Sequence, residues 1–168
     1  LLYLLDANVL IDAHHKFYPI DRIPEFWDWL LNCGQQQRVK IPLEIYQEVL
    51  PGNPGREEKD LLYDWLKEHK NIICFDEAVD RSLLQKVVEQ YAPDLCDEEL
   101  ETLGRDPFLI AHALRDTKQR IVVTNEVSKP RKKRANRHIP DVCNDLNVRH
   151  CNTCKLIKEL DFRTSQFS

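Results

Sequence analysis

Short runs of aliphatic and β-branched residues recur along the 168-residue chain, and stretches with helical spacing separate them. This alternation is the strongest constraint on the fold. Strands joined by helical crossovers build an α/β domain with a parallel sheet. The strand-like runs fall at residues 3–5, 38–41, 71–75, 121–124 and 147–151. No internal repeat, low-complexity tract or second domain interrupts the pattern, so residues 1–168 read as a single domain.

The helical segments between them carry start and stop signals. A helix is expected from Ala7 to about His15. Pro24 stands at the first position of another, carrying Phe26, Trp27, Trp29 and Leu30 and stopping before Gly34. Pro42 opens a third, which bears Glu44 and Glu48. The run Pro51-Gly52-Asn53-Pro54-Gly55 breaks the chain. A helix over 57–69 places Leu61, Leu62, Trp65 and Leu66 on one face. Another over 76–91 aligns Val79, Leu83, Leu84, Val87, Val88 and Tyr91. Residues 93–104 form an acidic connection, helical in part. Asp106-Pro107 reads as an N-cap followed by an N1 proline, opening a buried helix through Leu114. Short helices are expected near 140–146 and over 153–160.

Three acids fall at the ends of these elements. Asp6 closes the first strand, Glu126 follows the fourth, and Asp106 opens the buried helix. Open α/β sheets hold their ligands in the crevice beyond the carboxyl ends of the strands. Carboxylates gathered there repel one another, by about 4 kcal/mol at ~4 Å and an effective dielectric near 20. A hard divalent cation held by oxygen ligands, Mg²⁺ or Mn²⁺, is the usual remedy and points to metal-assisted phosphodiester cleavage. Glu48 is the fourth candidate. Glu44 lies one turn away on the same face, so one of the two is expected as a ligand and the other solvated. Each acid has a plainer role beside this one. Asp6 and Asp106 can cap helices, and Glu126 can be an exposed loop acid. Asn8 and Thr124 are candidates to orient a ligand or a water, and Asp141 is an outer ligand with a weaker claim.

Net charge is −4, which argues against general affinity for nucleic acid. The distribution matters more. Residues 129–138 hold six Lys or Arg in ten, while Asp94, Asp97, Glu98, Glu99 and Glu101 gather elsewhere. A basic strip just after Glu126 suits an enzyme acting on a polyanion, and a solvated loop is the plainer reading. No apolar run reaches the ~18–20 residues of a membrane span. The opening apolar stretch lacks a basic flank and meets Asp6, unlike a signal peptide. A cytoplasmic, reducing setting with free thiols follows for the six cysteines. Cys151-Asn-Thr-Cys154 is the one tight pair, short of the paired ligand sets of structural zinc. His14 and His15 are expected at the surface, His112 as a hydrogen-bonded core residue, and Trp27, Trp29 and Trp65 in the core or on a partner surface.

Taken together, Leu-Leu-Asp-Ala-Asn-Val-Leu-Ile at residues 4–11, a mid-chain helical Glu, Asp-Pro-Phe-Leu-Ile-Ala-His-Ala at 106–113 and Val-Val-Thr-Asn-Glu at 122–126 resemble a PIN domain. PIN domains are the nuclease domains of VapC-type toxins and related RNA-processing enzymes. The details are most similar to a PIN subfamily of unknown function, in which Phe-Trp-Asp-Trp-Leu follows the first helix. In that subfamily Val-Val-Thr-Asn-Glu leads through a basic loop to Ile-Pro-Asp-Val-Cys. The resemblance implies a three-layer α/β/α sandwich with a central parallel sheet in the order 3-2-1-4-5. It also implies an Mg²⁺- or Mn²⁺-dependent ribonuclease. By position, Asp6 resembles the first metal-binding Asp, Glu48 with Val49-Leu50 the helix Glu, and Asp106 the third acid. Glu126 stands near where many PIN domains carry Asp after a Thr, one methylene longer, with Asp141 as a compensating acid.

The expected mechanism has Asp6, Glu48 and Asp106 on one ion, with Glu126 assisting directly or through water. Lys129, Arg131, Lys132, Lys133 and Arg134 would steer and clamp single-stranded or looped RNA. An antitoxin covering the crevice and a homodimer are partners that the resemblance implies. The alternative is a catalytically silent PIN-like module that binds RNA or protein. A haloacid dehalogenase type of phosphatase also places an Asp after its first strand, but its Asp-x-Asp pattern is broken here by Asn8.

Overall fold

The computed structural model describes residues 1–50 and 60–164. Five parallel strands form the sheet: β1 (Leu2–Leu5), β2 (Val39–Pro42), β3 (Cys74–Phe75), β4 (Arg120–Val123) and β5 (His150–Cys151). Their spatial order is β3-β2-β1-β4-β5, as the resemblance implied, with helices flanking the sheet in an α/β/α sandwich. The order reverses between β1 and β4, which pair Leu2 with Arg120 through Leu5 with Val123. β1 pairs on its other side with β2, through Tyr3 with Val39 and Leu4 with Lys40. The central strands read as unbroken apolar runs because both faces are covered; Leu4, Leu5, Val39, Ile41, Val122 and Val123 are fully buried.

The helices are α1 (Ala7–Asp12), α2 (Pro24–Gln35), α3 (Leu43–Val49), α4 (Leu61–Glu68), α5 (Lys70–Ile73), α6 (Arg81–Tyr91), α7 (Asp97–Leu103), α8 (Asp106–Leu114), α9 (Ile139–Asp145) and α10 (Thr153–Glu159). A wider π-type turn, Ala13–Phe17, extends α1. Apolar stripes seat these helices on the sheet: Phe26, Trp27 and Leu30 from α2, Leu62, Trp65 and Leu66 from α4, and nearly all of α8. Trp27 and Trp65 pack edge to face in the core, and Trp29 is partly buried against it, so the core reading of the three tryptophans holds.

Several boundaries moved. Residues 71–75 contribute only Cys74 and Phe75 to the sheet, because α5 takes up the preceding residues. The amides of Ile72 and Ile73 turn back to the His69 carbonyl, Ile73 is fully buried, and its side chain lies where a Cβ on Gly34 would meet it at 3.1 Å. Close packing of this turn on α2 outweighs the β preference of two isoleucines. The buried Lys40 ammonium donates to the Ile72 carbonyl, a group the turn presents to it. The helix expected over 76–91 begins at Arg81, where Asp80 accepts from the amides of Ser82 and Leu83. The last strand is reduced to His150 and Cys151. The expected break at 51–55 and the start of the helix expected at Glu57 lie outside the described residues; from Asp60, which caps Tyr63, the helix is as expected. Among the described residues every cysteine is free, and no helix is long and apolar enough to cross a membrane.

Burial separates two leucines as stability probes. Leu66→Ala, at a fully buried site, is expected to cost about 2–5 kcal/mol, and Leu100→Ala, 42 % exposed, no more than about 0.5 kcal/mol. Urea unfolding monitored by tryptophan fluorescence measures both.

Candidate functional site

The switch point between β1 and β4 is where an open parallel sheet gapes at its carboxyl edge. Asp6 is the first residue past β1, and its amide donates to Val123 at the end of β4 (2.9 Å). It precedes α1, yet its carboxylate makes no side-chain cap to that helix. Instead, Asp6 Oδ2 accepts from Thr124 Oγ1 (2.7 Å) and Asn8 Nδ2 (2.6 Å). Asn8 reaches back across the seam, its Oδ1 accepting from the Asn125 amide (2.9 Å). Asn8 and Thr124, the two candidate orienting residues, thus both act on Asp6. The residue is only 4 % exposed, and its pKa is pushed up to about 6, first by burial, against the Thr124 bond, and then by the charges of Glu126 and Glu48.

Asp106 is brought in by the α7–α8 turn. Gly104 ends α7 with φ +56° and ψ −125°, a conformation that a side chain strains against, and this reverses the chain sharply enough to start α8 two residues later. The sequence reading made Asp106 the N-cap; the structure makes it the first helical residue, after Arg105, and its side chain caps nothing. Among the described residues its carboxylate has no hydrogen bond and no ion pair. Burial, then the charges of Asp6, Glu126 and Glu48, push its pKa up to about 8. Four acids distant in sequence therefore face one crevice.

Glu48 and Glu44 divide their roles differently from the expectation. Glu44 is not solvated: its Oε2 lies 3.0 Å from Nε2 of the buried His112, which is the hydrogen-bonded core residue expected. Burial opposes ionisation of Glu44, but the His112 bond brings its pKa below the usual range. Glu48 is an exposed residue whose carboxylate end leans past Gly104 into the crevice; desolvation raises its pKa against the pull of Arg105. Glu126 is anchored rather than loose, since its Oε2 accepts from the Ile139 amide at the start of α9 (2.8 Å). The donors are all hard oxygens, the set that suits Mg²⁺ or Mn²⁺. Among the described residues no three acid, histidine or cysteine side chains are already gathered closely enough to hold an ion, so the crevice is open rather than a closed cage.

Asp141 does not join them. It is 8 % exposed, and its two oxygens accept from Ser128 Oγ and the Lys129 amide (2.8 Å). It pins the base of the basic loop, which His138 Nδ1 closes on the Val127 carbonyl. Arg134 also departs from its expected role. It grips Glu99 with two nitrogens (2.6 and 2.8 Å) and Asp94 with a third (2.7 Å), so it is an internal tie between the loop and α7. Lys129, Arg131, Lys132 and Lys133 are exposed, and among the described residues none of their side chains pairs with a carboxylate.

A family model described as a domain of unknown function, DUF4411, matches residues 3–164. The chain belongs to the DUF4411 family. No curated protein matches it. The matched span of this DUF4411 chain takes in all four crevice acids, the basic loop and every element of the sheet.

Two residues near the acids escaped the sequence reading. Cys143, fully buried on α9, has its thiol pKa raised by burial and by the charges of Asp6 and Glu126. Tyr91, read only as part of an apolar stripe, carries a buried hydroxyl near Asp106. No spacing signal separates either from ordinary core residues; a polar atom at the end of an apolar stripe was the one clue.

The raised acids set a pH dependence. Between about pH 4 and 8 the folded DUF4411 domain holds protons on Asp106, and in part on Asp6, that the unfolded chain releases, so this site weakens the fold as pH rises. Asp106→Asn is expected to raise the Tm in EDTA more at about pH 8 than at about pH 5. Comparing it with the parent chain isolates the site from Glu44, Glu77 and Glu99, whose pKa values move down.

Proposed function

We propose that this DUF4411 domain is a PIN-like, Mg²⁺- or Mn²⁺-dependent endoribonuclease. The observation that carries the reading is Asp106, a mostly buried carboxylate among three other acids, with no hydrogen bond or cation of its own among the described residues. Such a group is costly to ionise in isolation and is relieved by a divalent ion. The sheet order and the position of Asp6 and Glu126 at the switch point support the same reading, as does the resemblance of the motifs around them.

Asp6, Glu48 and Asp106 would hold the ion, with Glu126 assisting. When bound, the ion supplies charge neutralisation at the scissile phosphate and acidifies a water, so no side-chain nucleophile is required. Thr124 and Asn8 keep Asp6 oriented by its Oδ2, and neither of them engages its Oδ1. Glu126 ties the end of β4 to α9, so the crevice wall is fastened to the element that follows the basic loop. Lys129, Arg131, Lys132 and Lys133 stand free to hold the RNA backbone, with Asp141 fixing where the loop starts. A toxin role with an antitoxin, a homodimer and a cytoplasmic setting remain part of this proposal through the resemblance. The open spacing of the acids favours one rival, a catalytically silent PIN-like module that binds RNA or protein.

A structured RNA mixture incubated with Mn²⁺ or Mg²⁺ separates the two. Cleavage is expected, and EDTA or Asp6→Asn is expected to reduce it by on the order of 100-fold or more, several kcal/mol of lost charge stabilisation. Absence of cleavage together with absence of Mn²⁺ binding by calorimetry would leave the silent module as the account. RNA binding measured against salt gives a second check. Lys132→Ala with Lys133→Ala should lower the slope of log K on log salt by about 1.4, at about 0.7 per phosphate contact on a single strand. Arg134→Ala should instead lower the Tm and leave that slope near its parent value.

A further inference from the structure

Tyr91 is the last residue of α6, is 4 % exposed, and its hydroxyl is buried without a hydrogen-bond partner among the described residues. Buried tyrosine hydroxyls nearly always find one. α6 packs against α8 and α9, the helices that carry Asp106 and Cys143. The hydroxyl senses the charges of Asp106, Cys143, Glu126 and Arg137. Three of these four are poor or occupied partners. Arg137 is a donor engaged by Asp145 and the Gln90 carbonyl, Glu126 has an oxygen committed to Ile139, and a thiol is a weak acceptor. Asp106 is the one of the four with neither carboxylate oxygen hydrogen-bonded among the described residues. An unused donor and an unused acceptor thus stand on packed, neighbouring helices.

We propose that Tyr91 is a positioning residue of the carboxylate crevice, its hydroxyl donating to Asp106 through one bridging water once a cation holds that carboxylate ionised. This rests on the cation-dependent reading above, and it adds a residue that orients the acid with the fewest supports of its own. Asp6 has Thr124 and Asn8, and Glu126 has the Ile139 amide. Asp106 would have Tyr91. Burial and the surrounding negative charge both keep the phenol protonated, so it is a donor throughout the working pH range.

The test is Tyr91→Phe, which keeps the ring and removes one oxygen, studied by Mn²⁺ calorimetry and by thermal unfolding without metal. The expected result is Mn²⁺ affinity lowered about 10-fold, the scale for losing a group that orients a ligand. The metal-free Tm should be unchanged or higher, because an unpartnered hydroxyl has left the interior. A merely structural role would move both downward, and that result overturns the proposal. Tyr91→Phe with the Mn²⁺ affinity of the parent chain overturns it too, and leaves the cation reading standing. A parent chain that binds no Mn²⁺ overturns both.

Discussion

Two hydrogen bonds to one carboxylate oxygen, from Thr124 and from Asn8, hold Asp6 at the seam between β1 and β4. The seam is where the sheet changes direction, and its crossing is completed by the Asp6 amide on Val123 and the Asn125 amide on Asn8. Without the parallel pairing of these strands, residues near position 6 and position 124 would have no reason to meet. With it, the chain places a buried acid at the mouth of the sheet, and the rest of the crevice is arranged around that acid. Asn125 extends the brace by accepting from Thr153 at the start of α10 (2.7 and 3.2 Å), so the last helix is tied to the same edge.

The crevice is held at a cost. Desolvation and mutual repulsion raise Asp6 and Asp106 together, and among the described residues no lysine or arginine is buried beside them to offset it. Elsewhere this chain pairs its acids freely, Glu77 with Arg115 and Arg120, Asp145 with Arg137, Glu99 with Arg134. The contrast separates acids that serve the fold from acids that weaken it. Perturbed acids of this kind cluster at functional sites.

Basic and acidic segments that look separate in the sequence turn out to be one construction. Glu99 caps α7 through the Cys96 amide and also receives Arg134, so the acidic segment anchors the far side of the basic loop. Asp141 and Glu126 anchor the near side. The loop's remaining cations project from a frame built by internal carboxylates, which lets a chain of net charge −4 present a local positive surface.

Local patterning determined the α/β class, most helix positions and the placing of Asp6 and Glu126 at strand ends, because strand and helix periods and proline or glycine punctuation act over a few residues. It misjudged 71–75, where burial of Ile73 against Gly34 overrode β propensity. It also could not say which of Glu44 and Glu48 would reach the crevice, since that depends on His112 sixty-eight residues away from Glu44. Asp106 as a helix opener was legible; its freedom from capping was not, because the turn at Gly104 shifts the helix start by one residue. The engagement of Arg134 and Asp141, and the burial of the Tyr91 hydroxyl, were decided wholly by tertiary structure, for a side chain's surroundings are set by which surfaces pack together, and sequence distance carries no record of that.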